Sequence, residues 1–193
     1  MDLPGCLRTN KRLLEERGST FGALLSEKLG WPLHEGDNFH PQENIDKMAR
    51  GEPLTDQDRL PWLLKLHEVI ERERSSGCDA LVVCSALKRL YRQILLFGSK
   101  ALTSSSSPDK EILHTAPPDI FFLFLHGDYD LIYQRLLARM GHYMKADLLR
   151  SQFEALEPPM EENVLTLDIR KSISDMALEV ENHIKSLKSS TKP

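Results

Sequence analysis

Three apolar runs constrain this chain more than any other feature. They are Ala80-Leu81-Val82-Val83-Cys84, Ile120-Phe121-Phe122-Leu123-Phe124-Leu125 and Val164-Leu165-Thr166-Leu167-Asp168-Ile169. They read as continuous rather than alternating, which suits parallel strands covered on both faces. Parallel neighbours cannot be joined by tight hairpins, so helices must lie between them. The sequence supplies such helices. Phe21, Leu24, Leu25 and Leu29 keep one face, and Gly30 ends that segment. Helical patterns follow over 61–74, 86–97, 129–140 and 173–187, with Asp128 placed to cap the third. Trp31-Pro32-Leu33-His34 is a weaker fourth strand, and Pro32 assigns it to a sheet edge. Alternating strands and helices of these lengths predict an α/β fold with right-handed crossovers.

The chain has 193 residues and is read as a single domain, 1–193. Residues 99–118, with Ser104 to Ser107 and three prolines nearby, form a surface insertion loop rather than a boundary. Residues 189–193 are expected to fray. A formal net charge of −4 gives no global case for nucleic acid or membrane binding. The N-terminus lacks a secretory pattern, and no apolar run approaches the ~18 residues of a membrane span. The three cysteines, Cys6, Cys78 and Cys84, form no CxxC pair and no disulfide framework, so a cytoplasmic, reduced protein is expected. Cys84 is read as a small core residue.

Four segments carry candidate chemistry. In Glu35-Gly36-Asp37-Asn38-Phe39-His40-Pro41, two carboxylates lie on a turn just past a strand, where open α/β sheets bind ligands. One can hold hydrated Mg²⁺ and the other can accept a proton from a substrate hydroxyl. Read alone, both acids suit better a turn leading into a Pro-initiated helix, as partners of the helix-start dipole. Next, Arg59 stands at the start of a longer helix, placed either to grip a carboxylate or to pair with Asp56 or Asp58. In Cys84-Ser85-Ala86-Leu87-Lys88-Arg89-Leu90-Tyr91-Arg92, Ser85 is read as an N-cap. Lys88 and Arg92, four apart, then share a face that is either anion-binding or simply solvated. Finally, Arg135 and Arg139 share a face just before Gly141, as lid arginines or ordinary surface ones.

Together and in this order, these segments resemble the gluconate kinases, small phosphate-loop kinases related in fold to shikimate and adenylate kinases. The resemblance covers roughly residues 18–187. Its most specific parts are Gly36-Asp37 with His40-Pro41, residues 51–63, residues 84–92, Gly141-His142 and residues 151–158. It implies a parallel sheet flanked by helices with a short lid at 140–152, and ATP-dependent phosphorylation of the 6-hydroxyl of D-gluconate. It further implies Asp37 as the group that orients or deprotonates that hydroxyl. Asp37, His40, Arg59, Lys88, Arg92, His142 and Gln152 become substrate-contact candidates. Gly18, Ser19, Thr20, Arg135 and Arg139 would face ATP, Ser19 and Glu35 would hold Mg²⁺, and a homodimer is expected.

The N-terminus departs from that pattern. Such kinases begin with an apolar strand, then GxxxxGK[ST], then a helix. Here Gly18-Ser19-Thr20 matches only the end of the motif, and Gly18 falls where the Lys should be. The expectation is a substituted first segment over 1–17, a sheet that lacks its central first strand, and a weakened phosphate site. Losing one preorganised donor costs ~10²–10³ in rate. The alternatives are an inactive binding or dimerising form, or a kinase of another small hydroxy acid.

Overall fold

The computed structural model describes residues 6–9, 15–103, 117–140, 144–160 and 163–190. Within them lies one parallel sheet of order β2-β3-β1-β4-β5. Its strands are β1 (Cys6–Thr9), β2 (Leu33–Glu35), β3 (Ala80–Val83), β4 (Ile120–His126) and β5 (Val164–Asp168). All four pairings are parallel, as the continuous apolar runs require. The sequence treats the three runs alike, but the structure does not. β3 is buried throughout and β4 nearly so, whereas β5, at the sheet edge, is mostly half-covered with Thr166 exposed. The edge position expected for the segment after Pro32 is found, since β2 closes the other side.

The expectation of a missing central strand is corrected. Cys6–Thr9 lies between β3 and β4 and pairs with both, Leu7 opposite Leu81 on one side and Phe121 on the other. The reason lies in backbone chemistry. β3 and β4 each turn a row of N–H and C=O groups toward the gap between them, and buried backbone groups must be paired. A four-residue extended segment satisfies both rows without being uniformly apolar. Arg8 interrupts the hydrophobic pattern on which a sequence search relies.

The helices are α1 (Glu15–Leu29), α2 (Gln42–Ala49), α3 (Asp56–Ser75), α4 (Arg89–Phe97), α5 (Lys100–Thr103), α6 (Tyr129–Met140), α7 (Met144–Ala155) and α8 (Ile173–Ser190). α1 stops at Gly30, whose φ of +69° is a left-handed conformation that glycine adopts without strain. Two helix starts differ from expectation. α3 begins at Asp56 rather than Pro61, because Thr55 and Asp58 form a reciprocal capping box that outweighs the hydrogen bond lost at Pro61. α4 begins at Arg89, so Ser85 does not cap it and Lys88 occupies the cap position. The insertion loop is described only at its ends; residues 104–116 lie outside the described residues.

Helices cover both sheet faces, and the core runs through Phe21, Trp62, Leu66, Ile70, Leu95 and Leu123. Cys84 is fully buried, as expected of a small core residue. Helix α1 lies so close to β3 that a Cβ on Gly22 would meet Val83 at 2.8 Å. Among the described residues, no helix is long and apolar enough to cross a membrane.

Candidate active site

The carboxyl ends of β2 and β3 lie side by side, with Glu35 opposite Val83. There the chain leaves β2 into a 3₁₀ turn over Gly36–Phe39. Gly36 is required by the close approach: a Cβ would sit 2.7 Å from the Val83 carbonyl oxygen and 2.9 Å from Cys84 Cβ. The next residue, Asp37, is thereby set at the mouth of the sheet, half-buried.

Helix α3 fixes this turn from below. Trp62 is fully buried and its Nε1 donates to the Gly36 carbonyl oxygen at 2.7 Å. Its ring also stacks on the buried His40 imidazole, with centroids 4.4 Å apart and planes at 10°. A second contact on His40 comes from Asn44 of α2. The Asn44 amide nitrogen donates to the Asp58 carbonyl oxygen at 2.7 Å and lies 3.2 Å from His40 Nδ1. The first bond assigns the amide orientation, so its second hydrogen points at Nδ1, and a neutral His40 then carries its proton on Nε2. Sequence reasoning missed Asn44 and Trp62. No spacing rule signalled them, since His40 lies before α2 and Trp62 reads as an ordinary apolar position of α3.

Arg59 is buried, and its guanidinium lies 5.9 Å from the Tyr91 ring centroid. Lys88 Nζ lies 5.7 Å from the same ring. Two of the expected substrate cations thus converge on Tyr91 from different helices. Lys88 is bound at 2.8 Å to both oxygens of Asp56, and the Tyr91 hydroxyl donates to the same carboxylate. These contacts, Lys88 first, hold the Asp56 carboxyl below its ordinary range. Burial, then the Asp56 bond, pushes the Tyr91 hydroxyl up.

Arg92 behaves differently from expectation. With α4 starting at Arg89, Lys88 and Arg92 do not form a shared anion-facing pair. Arg92 is buried, and its Nη1 donates to the carbonyl oxygens of Ala86 (3.2 Å), Leu87 (3.4 Å) and Glu157 (3.0 Å). Glu157 also accepts from the Arg89 backbone N–H at 2.6 Å. Arg92 therefore ties the segment after α7 to the turn before α4. Gln152 of α7 is buried with Oε1 lacking a hydrogen-bond partner among the described residues, and so is Ser85 Oγ.

On the nucleotide side, Ser19 Oγ donates to Glu35 Oε2 at 3.5 Å, bringing the two expected Mg²⁺ residues together. Gly18, Ser19 and Thr20 all lie within α1, Thr20 exposed. Because α1 starts at Glu15, the N–H groups left over at its amino end belong to residues 15–18. Arg135 Nη1 donates to the Ile169 carbonyl oxygen at 3.2 Å, beside the turn between β5 and α8. Arg139 lies on α6 with its side chain undescribed, and His142 lies outside the described residues.

No family model matches the chain. Individual relatives do. It is 44% identical to a probable gluconokinase of Mus musculus over 169 residues, 86% of this chain and 91% of that one. It is 40% identical to the thermosensitive gluconokinase of Escherichia coli (strain K12) over 161 residues, 82% of this chain and 74% of the other. Among solved structures it matches a gluconokinase from Sinorhizobium meliloti 1021 with a TM-score of 0.74, 31% identity and full coverage of both chains. An APS kinase of Mycobacterium tuberculosis, at 18% identity and TM-score 0.65, shares the fold.

Proposed function

The chain belongs to the gluconokinase family, and from that premise we propose that it transfers the γ-phosphoryl group of ATP to the 6-hydroxyl of D-gluconate. The observation that carries this reading is the turn over Gly36–Phe39, which sets a half-buried carboxylate at the sheet mouth and holds it from α3. Asp37 accepts the hydroxyl proton as the oxygen attacks phosphorus, and the bond from phosphorus to the departing ADP oxygen breaks. His40 presents an Nε2–H toward polyol hydroxyls. Arg59 and Lys88, which both approach the Tyr91 ring, serve the gluconate carboxylate, Lys88 exchanging Asp56 for it. Gln152 and His142 complete the substrate shell from α7 and the segment before it. Residues 140–152 serve as the lid, and Arg135 and Arg139 serve the nucleotide phosphates.

The oxygen pair of Ser19 and Glu35 fits Mg²⁺, which takes few protein ligands and keeps waters. When bound, that ion neutralises phosphate charge. The phosphate loop fits less well: Gly18 supplies no ammonium, and no Gly-rich cradle precedes it. That one residue favours a second reading, in which the chain binds gluconate and turns it over weakly or not at all. The cytoplasmic setting rests on cysteine usage and the homodimer on resemblance, and light scattering on the purified chain checks the latter.

The deciding experiment is gluconate-dependent ADP formation by this chain, beside a version whose residues 12–18 are replaced by a GxxxxGK loop. The primary reading expects activity in both and ~10²-fold more in the second. Activity in the second alone selects the binding reading. Turnover of a different hydroxy acid in place of gluconate contradicts the substrate assignment.

A further inference from the structure

Trp62 is placed to do more than fill the core. It is the largest fully buried side chain, yet its one polar atom is spent on the Gly36 carbonyl, directly before Asp37. Its ring face is spent on His40, at the far end of the same turn. The turn is thus gripped at both ends by one rigid side chain. Between those grips, Asp37 is fixed relative to α3, the helix that also carries Arg59 three residues before Trp62 on the same face. Asn44 adds a contact at the His40 ring edge, Nδ1, through a group whose other hydrogen is committed to α3 at Asp58.

We propose that Trp62 is a positioning residue, which sets the Asp37 carboxylate at a fixed distance from the Arg59 guanidinium. The Trp indole carries both tools needed, a flat face for the imidazole and an N–H for the carbonyl. Phe would keep the first and lose the second, leaving the Gly36 carbonyl short of a donor. Catalytic groups must be held by such supporting contacts to be productive. The inference rests on Asp37 contacting substrate, as proposed above.

Two measurements test it. Hydrogen exchange on the ligand-free protein compares wild type with Trp62→Phe, and with a Trp31→Phe protein carrying 3-benzothienylalanine at position 62. That analogue keeps the shape and the stack and deletes only the N–H. The expected result is about tenfold faster exchange over residues 37–40, with the core of α3 unchanged. Unchanged exchange over 37–40 in the analogue overturns the proposal. Gluconate binding is then measured by calorimetry in wild type, Trp62→Phe, Asp37→Asn and the double variant. If Trp62 acts through Asp37, Trp62→Phe weakens gluconate about five- to tenfold in wild type and has no further effect in Asp37→Asn. Equal weakening in both backgrounds overturns the positioning role. If Asp37→Asn alone leaves affinity and turnover intact, the assignment of Asp37 fails instead.

Discussion

Asp37 depends on Gly36, whose missing side chain admits the Val83 carbonyl at close range. Asp37→Asn is expected to lower kcat by ~10²–10⁴ with little change in melting temperature, read by ADP formation and thermal denaturation. Arg59 is buried with its guanidinium facing Tyr91. Arg59→Ala should weaken gluconate 10- to 100-fold, the worth of about 1.5–3 kcal/mol for a charged hydrogen bond, as measured by calorimetry. Arg92 shows why such roles cannot be assigned from spacing alone. Its i, i+4 relation to Lys88 holds only if a helix spans both residues, and the helix starts one residue too late.

At the scale of elements, the capping box of α3 governs where that helix begins and hence where Arg59 and Trp62 point. Asp58 accepts from Lys47 Nζ and from both the N–H and hydroxyl of Thr55. These bonds, Lys47 first, pull its carboxyl from 3.8 down to about 2. A carboxyl depressed on folding stabilises above its unfolded value and loses that contribution as pH falls through the folded one. The melting-temperature gap between wild type and Asp58→Asn should therefore be full above about pH 4 and shrink between about 4 and 2. A constant gap across that window contradicts the assignment. Gly36→Ala probes the neighbouring turn. A methyl 2.7 Å from the Val83 carbonyl must displace backbone, so stability should fall by about 1–3 kcal/mol and turnover with it. Apolar patterning revealed β2 to β5 and most helices because burial imposes it. The start of α3 was hidden because Pro61 signals a boundary more loudly than Thr55 does.

For the whole molecule, the central strand is the chief lesson. The sheet takes Cys6–Thr9 into its middle although Arg8 interrupts any apolar run there. Fold and family were legible because β3, β4 and the ordered motifs from Gly36 to Pro158 span most of the chain. The strand was not, because pairing of backbone groups on two sides demands extension rather than a side-chain pattern. What the strand does not restore is the phosphate cradle, since Gly18 still stands in the place of a lysine. The central claim is that this chain carries a gluconate-phosphorylating site built on Asp37. Its most direct test is the yield of 6-phosphogluconate and ADP from gluconate and ATP, followed in wild type and Asp37→Asn. The account predicts equal amounts of the two products from wild type and at least a hundredfold loss in the variant. Product formation that survives Asp37→Asn, or ADP release independent of gluconate, would contradict it.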